Sequence, residues 1–428
     1  MSAIEDPTPG HWETSEYMIG SIAVGIILPD SNGTVDPSTE DWTGEEIDQV
    51  LDRIQYALNW WSSQNPGANV SFVTEAHERV PTSYELITHS TIDPGFRRAY
   101  DEIMTHIGYT GTGQTIDYVN DLRDKFHTDW AFMIIVVDSS NDPDGCFENG
   151  KSAYTDPWSR SRVWMTYDNN GWGINRMSQV CAHEIGHIFW ATEEYNGQTE
   201  RRGYLYVSDV ENSSCLMDDC SMRLSGKPHG MNGTWGQIGW RDTDDDGIQD
   251  IVDTFPRVYL DAIEILQGRI KCSGIAVVTP HPNRNSYSMN PEGARDVTIN
   301  KIKQVEFRAD FGNWMSATPT DSTLGDAIES FTFVTEQLSL GQHFIEVRAT
   351  NQWGNSGYTN STIEIQELLP TDLNQDGIVN IRDLFIAAKA FQTKPGDEHW
   401  DPRADVDGND LINMVDLYEV AKDYGKTV

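Results

Sequence analysis

The stretch AHEIGHIFWATEEY, residues 182–195, places His183 and His187 four residues apart with Glu184 between them. On an α-helix, residues i and i+4 project from one face about 6 Å apart, so two imidazole nitrogens can reach one zinc ion. Glu184 lies beside that face, where its carboxylate can take a proton from a water molecule. The spacing predicts a zinc site with Glu184 as general base. Because H-E-x-x-H is short, an ordinary amphipathic helix with two histidines is the alternative.

Two glutamates follow the histidines and compete to be the third zinc ligand. At about 100° per residue, Glu193 would lie about 120° away from the metal face of a continuous helix. Glu194 would face the metal side but about 10 Å further along the axis. Neither side chain reaches the metal unless the helix ends soon after His187 and the chain turns back. Helix geometry alone leaves Glu193 and Glu194 both open.

The pattern H-E-x-x-H with a possible ligand six residues later resembles the metzincin clan of zinc peptidases. The resemblance implies that His183, His187 and Glu193 hold the zinc, with Glu194 as the alternative. This sequence departs from the clan at two positions, since a glutamate replaces the usual His or Asp and Trp190 replaces the usual helix-ending glycine. Trp does not easily adopt a positive φ, so the turn must be made differently.

The metzincin resemblance also implies a methionine-containing turn beneath the zinc. In NSSCLMDDC, Met217 is the candidate, and Cys215 and Cys220 are close enough in sequence to form a disulfide that closes this loop. A methionine that merely fills the core is the alternative. A scheme similar to thermolysin would instead take Glu211 as ligand, but that residue lies in a segment that reads as loop. The resemblance further suggests that KSAYTDP, residues 151–157, is an edge strand that pairs with substrate.

Composition excludes several classes of function. The chain of 428 residues has 30 Lys and Arg against 67 Asp and Glu, a formal net charge of −37. Such a surface repels phosphate backbones, so we expect no nucleic-acid partner. No apolar run is long enough for a membrane span. Five cysteines without a CxxC pair exclude a cysteine zinc ribbon, and they leave the pairing of Cys146, Cys181 and Cys272 open.

The length predicts several domains. Residues 1–240 read as an α/β (α+β) catalytic domain, in which Thr43 and Glu46 form a capping box for a long amphipathic helix. Residues 241–257 are an acidic linker. Residues 258–368 show strands of period two, such as HFIEVRAT, and predict a β-sandwich of immunoglobulin-like type. Residues 369–428 are predicted to form a small α-helical module of the dockerin or EF-hand kind.

Three loops carry oxygen side chains at the spacing that wraps calcium, with a backbone carbonyl at the seventh position. The linker offers Asp242, Asp244, Asp246, Ile248, Asp250 and Asp253. The first loop of the tail offers Asp372, Asn374, Asp376, Ile378, Asn380 and Asp383. The second offers Asp405, Asp407, Asn409, Asn413 and Asp416, with Asp410 at the turn position where the other loops have glycine. Solvated acidic loops without ions are the alternative.

The two tail loops belong to a duplicated loop-and-helix unit of period 33. Residues 370–428 resemble a dockerin type I domain, which implies a cohesin-like partner recognised partly through Ile381-Arg382 and Met414-Val415. Stabilisation of the neighbouring sandwich or attachment to the cell surface is the alternative role. Loops of this kind need appreciable free calcium, which favours an extracellular or cell-surface setting. The N-terminal MSAIEDPTPG lacks signal-peptide features, so a cytosolic protein or a mature form without its signal is expected.

Together these features predict a secreted zinc endopeptidase that hydrolyses protein or peptide substrates. One catalytic Zn²⁺ and two to three or more structural Ca²⁺ ions are expected. A cell-surface adhesion or scaffold protein with a structural or vestigial zinc site is the alternative. A zinc hydrolase that acts on non-peptide amides is a weaker one.

Overall fold

The computed structural model describes residues 4–155, 161–195, 199–210, 213–226, 232–266, 268–366 and 369–427. These residues form a multidomain structure of mixed helix and sheet with separate apolar cores. Among them, no helix is both long enough and apolar enough to cross a membrane.

The N-terminal region is a five-stranded sheet with helices on both faces. The sheet order is β2-β1-β3-β5-β4, and only the edge strand β4 is antiparallel to its neighbour. Its elements are β1 (Ser21–Ser31), α1 (Gly44–Gln64), β2 (Ser71–Thr82), α2 (Pro94–His106), α3 (Gln114–Phe126), β3 (Trp130–Val137), β4 (Ala153–Thr155), β5 (Arg162–Thr166) and α4 (Met177–Ile188). Shorter elements follow: β6 (Arg201–Arg202), β7 (Val207–Ser208), α5 (Leu216–Asp219) and α6 (Thr234–Gln237).

Apolar patterning explains these elements. Strands β1 and β3 are continuous apolar runs, and they are buried because helices cover both faces of the sheet. The expected capping box at the start of α1 is present, with Thr43 accepting from the Glu46 amide and Glu46 accepting from the Thr43 amide. Helix α1 also packs on α4, and the Trp61 indole donates to the Ala182 carbonyl at 3.0 Å.

The middle region consists of two antiparallel four-stranded sheets that share one apolar core. The strands are β8 (Arg257–Leu266), β9 (Arg269–Val277), β10 (Ile302–Ala309), β11 (Met315–Ser316), β12 (Thr318–Pro319), β13 (Ile328–Val334), β14 (Gly341–Asn351) and β15 (Ser356–Ile365). The sheet orders are β11-β10-β14-β15 and β12-β13-β9-β8. The expected alternation is present in β14, where Ile345, Val347 and Ala349 are fully buried.

One segment within the expected sandwich lies elsewhere. The chain between β9 and β10 returns to the N-terminal region, where Val297 and Ile299 join the core of that region. The Val297 amide donates to the Tyr204 hydroxyl at 2.8 Å, and the Ile299 amide donates to the Tyr17 hydroxyl at 3.1 Å. The core of the N-terminal region therefore extends beyond the linker at 241–257.

The C-terminal region contains two short helices, α7 (Ile381–Lys389) and α8 (Met414–Lys422). Each helix begins with a capping box, formed by Asn380 with Asp383 and by Asn413 with Asp416. A small core joins the two repeats through Leu373, Val379, Ala387, Ala390, Ala404, Ile412 and Val420.

Candidate metal centre

Helix α4 ends where a third ligand requires it to end. Its last residue is Ile188, and Trp190 then adopts a left-handed conformation with φ of 77°. The Ala191 amide donates to the Gly186 carbonyl at 3.0 Å, which closes the turn. A left-handed residue other than glycine costs about 1–2 kcal/mol, and the almost complete burial of the Trp190 side chain offsets this cost. The tryptophan thus makes the turn that glycine makes in the metzincin pattern.

The turn brings Glu193 back to the two histidines. His183 Nε2 and His187 Nε2 lie 3.1 Å apart, and the Glu193 carboxylate oxygens lie 3.4 Å and 3.2 Å from them. One ligand atom from each residue falls within 4.8 Å of the others. Glu194 does not join this group.

The hydrogen bonds of the two imidazoles set the orientation of both rings. His183 Nδ1 donates to the Leu216 carbonyl and His187 Nδ1 donates to the Ala191 carbonyl, both at 2.8 Å. A neutral histidine that donates through Nδ1 presents a lone pair at Nε2. Two lone pairs and a carboxylate therefore converge, and the buried Glu193 Oε2 has no hydrogen-bond partner among the described residues.

The electrostatics favour positive charge at the same point. Burial lowers the pKa of His183, but Cys220 and the Glu193 carboxylate raise it well above its ordinary value. Burial raises the pKa of Glu193, but the two histidines hold it below its usual range. Both shifts mean that a proton or a metal cation between these groups is stabilised.

Glu194 has a different environment. Its carboxylate is fully buried and accepts from Ser213 Oγ at 2.5 Å, from Cys215 Sγ at 2.8 Å and from Ser225 Oγ. Its amide donates to the Met217 carbonyl at 2.9 Å. Glu194 therefore connects the turn after α4 to the segment that carries Met217, while Glu193 faces the histidines.

The candidate general base contacts a hydroxyl group that no sequence motif singles out. Thr155 Oγ1 lies 2.9 Å from Glu184 Oε2 and 2.8 Å from the Glu184 carbonyl. Thr155 is the last residue of β4, the antiparallel edge strand. The remainder of the predicted edge segment, from residue 156, lies outside the described residues, as does Glu211.

Met217 lies under helix α4, but the predicted disulfide between Cys215 and Cys220 does not form. The Met217 side chain is fully buried against Gly186 of α4. Cys215 Sγ donates to Glu194, whereas Cys220 Sγ lies 3.8 Å from His183 Nδ1. The two sulfurs contact different residues, and neither cysteine is in a disulfide. Cys146, Cys181 and Cys272 are also free.

The linker loop brings together part of its predicted calcium set. The carboxylates of Asp242, Asp244 and Asp246 lie within 4.8 Å of one another. Asp250 instead pairs with Arg241, whose Nε lies 2.5 Å from Asp250 Oδ2. The other two predicted ligands make different contacts. Asp253 accepts from Asn355 of the sandwich at 2.7 Å, and Ile248 donates its amide to Asp246.

In the tail loops, backbone amides donate hydrogen bonds to the first and last aspartates. In the first loop, Asp372 accepts from the Gly377 amide at 2.8 Å, and Asp383 accepts from the Asn374 and Asn380 amides. Asp376 accepts from the Ile378 amide.

In the second loop, Asp405, Asp407 and Asp416 gather within 4.8 Å. Asn409 donates to Asp407, and Asp410 makes the turn with φ of 64°. Asn380 and Asn413 serve as helix N-caps.

Comparisons with known proteins identify the tail. The model of the dockerin type I domain matches residues 370–423. No curated protein matches the chain.

Solved structures with some likeness include the sulfane dehydrogenase SoxCD from Paracoccus pantotrophus, at 15% identity over 27% of this chain with a TM-score of 0.19. The chain spans 33% of that protein. A type II cohesin–X–dockerin complex from Acetivibrio cellulolyticus is 16% identical over 29% of this chain and 82% of that chain, with a TM-score of 0.14. Wild-type OgpA from Akkermansia muciniphila is 11% identical over 82% of this chain and 94% of that chain, with a TM-score of 0.23.

The match to the family model confirms the dockerin prediction. Dockerin type I domains bind calcium and occur in extracellular or cell-surface proteins, which agrees with the two acidic loops of the repeats. Residues 370–423 of this chain form a dockerin type I domain.

Proposed function

We propose that the chain is a secreted zinc-dependent endopeptidase with a metzincin-like catalytic domain. One observation carries this proposal: the Nε2 atoms of His183 and His187 converge on the Glu193 carboxylate while both Nδ1 atoms are fixed by backbone carbonyls. Among the described residues, no fourth His, Cys, Asp or Glu joins this group. Catalytic zinc sites have three protein ligands and an open position, whereas structural sites have four.

The residues present fit the chemistry of peptide hydrolysis. Zinc held by His183, His187 and Glu193 would polarise the scissile carbonyl and acidify a water molecule. Glu184 takes the proton of the attacking water and then delivers it to the leaving amine. Thr155 holds the Glu184 carboxylate in place during both transfers.

The position of β4 supports a peptide substrate. This strand lies at the edge of the sheet, and its last residue contacts the general base. An extended peptide can add to an exposed strand edge through backbone hydrogen bonds. A substrate bound along β4 would therefore pass the Glu184 carboxylate. This placement favours an endopeptidase over a hydrolase of non-peptide amides.

The C-terminal region supports attachment to a partner, and we propose a cohesin-like module for this role. Dockerin helices α7 and α8 expose large apolar side chains: Ile381 is 65% exposed, Phe385 69%, Met414 65% and Tyr418 62%. Four such side chains on two short helices form a surface that suits a protein partner. The two-sheet region, proposed to be immunoglobulin-like, would link this module to the catalytic region.

The alternative is an adhesion or scaffold protein in which the zinc is structural. The variant Glu184→Gln distinguishes the two, since it keeps the three metal ligands and removes the base. We expect it to bind one zinc per chain and to lose hydrolysis of a denatured protein. Glu45→Gln, on the exposed side of α1, is the control and should hydrolyse like the wild type. Full activity of Glu184→Gln, or inactivity of the zinc-loaded wild type on denatured proteins, contradicts the proposal.

A further inference from the structure

Three buried carboxylates meet at the end of the sheet where β1, β2 and β3 finish. Glu40 precedes α1, Glu85 follows β2, and Asp138 directly follows β3. Each side chain is only 3% exposed. Because β1, β2 and β3 are parallel neighbours, their carboxyl ends lie at one edge and bring these three segments together.

A small cavity separates the three carboxylates. Its volume is about 10 Å³, and Glu40, Glu85 and Asp138 all line it, together with Thr82 and Tyr84. A space of this size holds one ion or one water molecule. Its occupant is therefore not an organic ligand.

One carboxylate oxygen at this cavity has no partner. Asp138 Oδ1 accepts from the Ser140 amide at 3.0 Å, but the buried Asp138 Oδ2 has no hydrogen-bond partner among the described residues. Backbone amides also hold the other two groups, since Glu85 accepts from the Thr39 amide and Glu40 from the Asn141 amide. An unpaired anionic oxygen that is buried this deeply is costly unless a cation or a proton meets it.

Among the described residues, no Lys, Arg or His forms an ion pair with this trio. The nearby Arg79 pairs with a separate carboxylate, Asp30, at 3.8 Å. The pKa of Glu85 is raised to about 7, chiefly by burial and also by the charges of Glu40 and Asp138, against the opposing effect of backbone amides. Burial also raises the pKa of Asp138 and of Glu40. The cluster therefore disfavours three bare negative charges.

We propose that Glu40, Glu85 and Asp138 bind one calcium ion, at a site separate from the three acidic loops. The donors are oxygens only, which suits a hard cation and disfavours zinc. Three carboxylates supply up to about six oxygens, a number within the range that calcium takes. Calcium accepts an irregular set of carboxylate oxygens, whereas magnesium requires near-ideal octahedral geometry and usually keeps several water molecules. The ion would join the segments before α1, after β2 and after β3.

Calcium counting on the full chain tests the site. After treatment with a chelator, the protein is dialysed against calcium chloride and its bound calcium is measured by atomic emission. We expect Asp138→Asn and Glu85→Gln each to bind one calcium fewer per chain than the wild type. Glu45→Gln is the matched control and should bind as many as the wild type. Equal counts in the wild type and both variants overturn the proposal.

Thermal unfolding, measured once in chelator and once in calcium, provides a second test of the site. In chelator, each neutral variant should unfold at the same temperature as the wild type or higher, because one of three repelling charges is gone. In calcium, the wild type should gain more than either variant. A variant that is stabilised in chelator but keeps the full calcium count would identify a proton-sharing carboxylate cluster and refute the calcium site. Two substitutions are used, so that failure of one to fold does not decide the outcome.

Discussion

Met217 Sδ lies directly beneath Gly186, so close that a Cβ atom at residue 186 would stand 2.8 Å from the sulfur. Gly186 lies between His183 and His187 in sequence, and the Met217 carbonyl accepts from the Glu194 amide. The methionine therefore contacts the helix that carries the histidines and the turn that follows it. This contact explains why a glycine is required inside a buried helix at a cost of about 1 kcal/mol relative to alanine.

Replacing Gly186 by alanine should disturb this packing. We expect Gly186→Ala to lower the free energy of unfolding by about 1–3 kcal/mol, because the added methyl group overpacks a filled site. Met217→Ala removes the obstructing side chain, so the double variant should lose less than the sum of the single variants. Gly44→Ala is the control, since a Cβ there meets nothing within 4 Å. Additive losses in chemical denaturation would contradict the contact.

The two glutamates after the helix should respond differently to the same change. We expect Glu193→Gln to lower zinc affinity, because it removes the anionic ligand beside His183 and His187. Glu194→Gln should keep one zinc per chain but lose about 1–3 kcal/mol of stability, because its amide nitrogen cannot accept from the surrounding hydroxyl and thiol groups. Equilibrium dialysis and denaturation measure both effects. Zinc loss confined to Glu194→Gln would reverse the assignment.

Thr155 is expected to position the general base. Thr155→Val keeps the shape of the side chain and removes the hydroxyl that contacts Glu184 Oε2. We expect kcat to fall roughly tenfold, corresponding to about 1.4 kcal/mol, with little change in KM. Thr155→Ser retains the hydroxyl and should recover most of the rate. Loss of kcat in the serine variant equal to that in the valine variant would argue against this role.

A histidine in the two-sheet region should make stability depend on pH. Asp310 and the Ser339 carbonyl raise the pKa of His343. His343 Nδ1 lies 2.7 Å from the Asp310 carboxylate, and Nε2 lies 2.7 Å from the Ser339 carbonyl. A raised pKa in the folded state stabilises the protein fully below the unfolded value of about 6.5 and loses this effect as pH rises through the folded value. The stability difference between wild type and His343→Gln should therefore be larger at pH 6 than at pH 9. A difference that is equal at both pH values would contradict this pairing.

Local patterns in the sequence predict the elements that position the site. The apolar runs of β1 and β3, the Thr43 capping box and the alternation in β14 appear in the structure because each depends on neighbouring residues and simple burial. The duplicated calcium loops were equally local, and their dockerin assignment is confirmed. The histidine spacing likewise requires only a helix.

The remaining features depend on contacts between distant segments. The left-handed conformation of Trp190 follows from the burial of its indole, which no local pattern indicates. Cys215 and Cys220 are close in sequence, but their sulfurs contact Glu194 and His183 respectively and form no disulfide with each other. Thr155 reaches Glu184 only because β4 lies beside α4. The carboxylates of the proposed calcium site are also separated by tens of residues and meet through strand order alone.

The first coordination shell of zinc tests the central claim most directly. X-ray absorption spectroscopy of the zinc-loaded full chain should show two imidazole nitrogens, carboxylate oxygen and one further oxygen that the protein does not supply, all at about 2.0–2.2 Å. Glu193→Gln should change this shell, whereas Glu194→Gln should leave it intact. A sulfur scatterer at about 2.3 Å, as expected if Cys220 were a ligand, or a closed shell of four protein ligands would contradict the account.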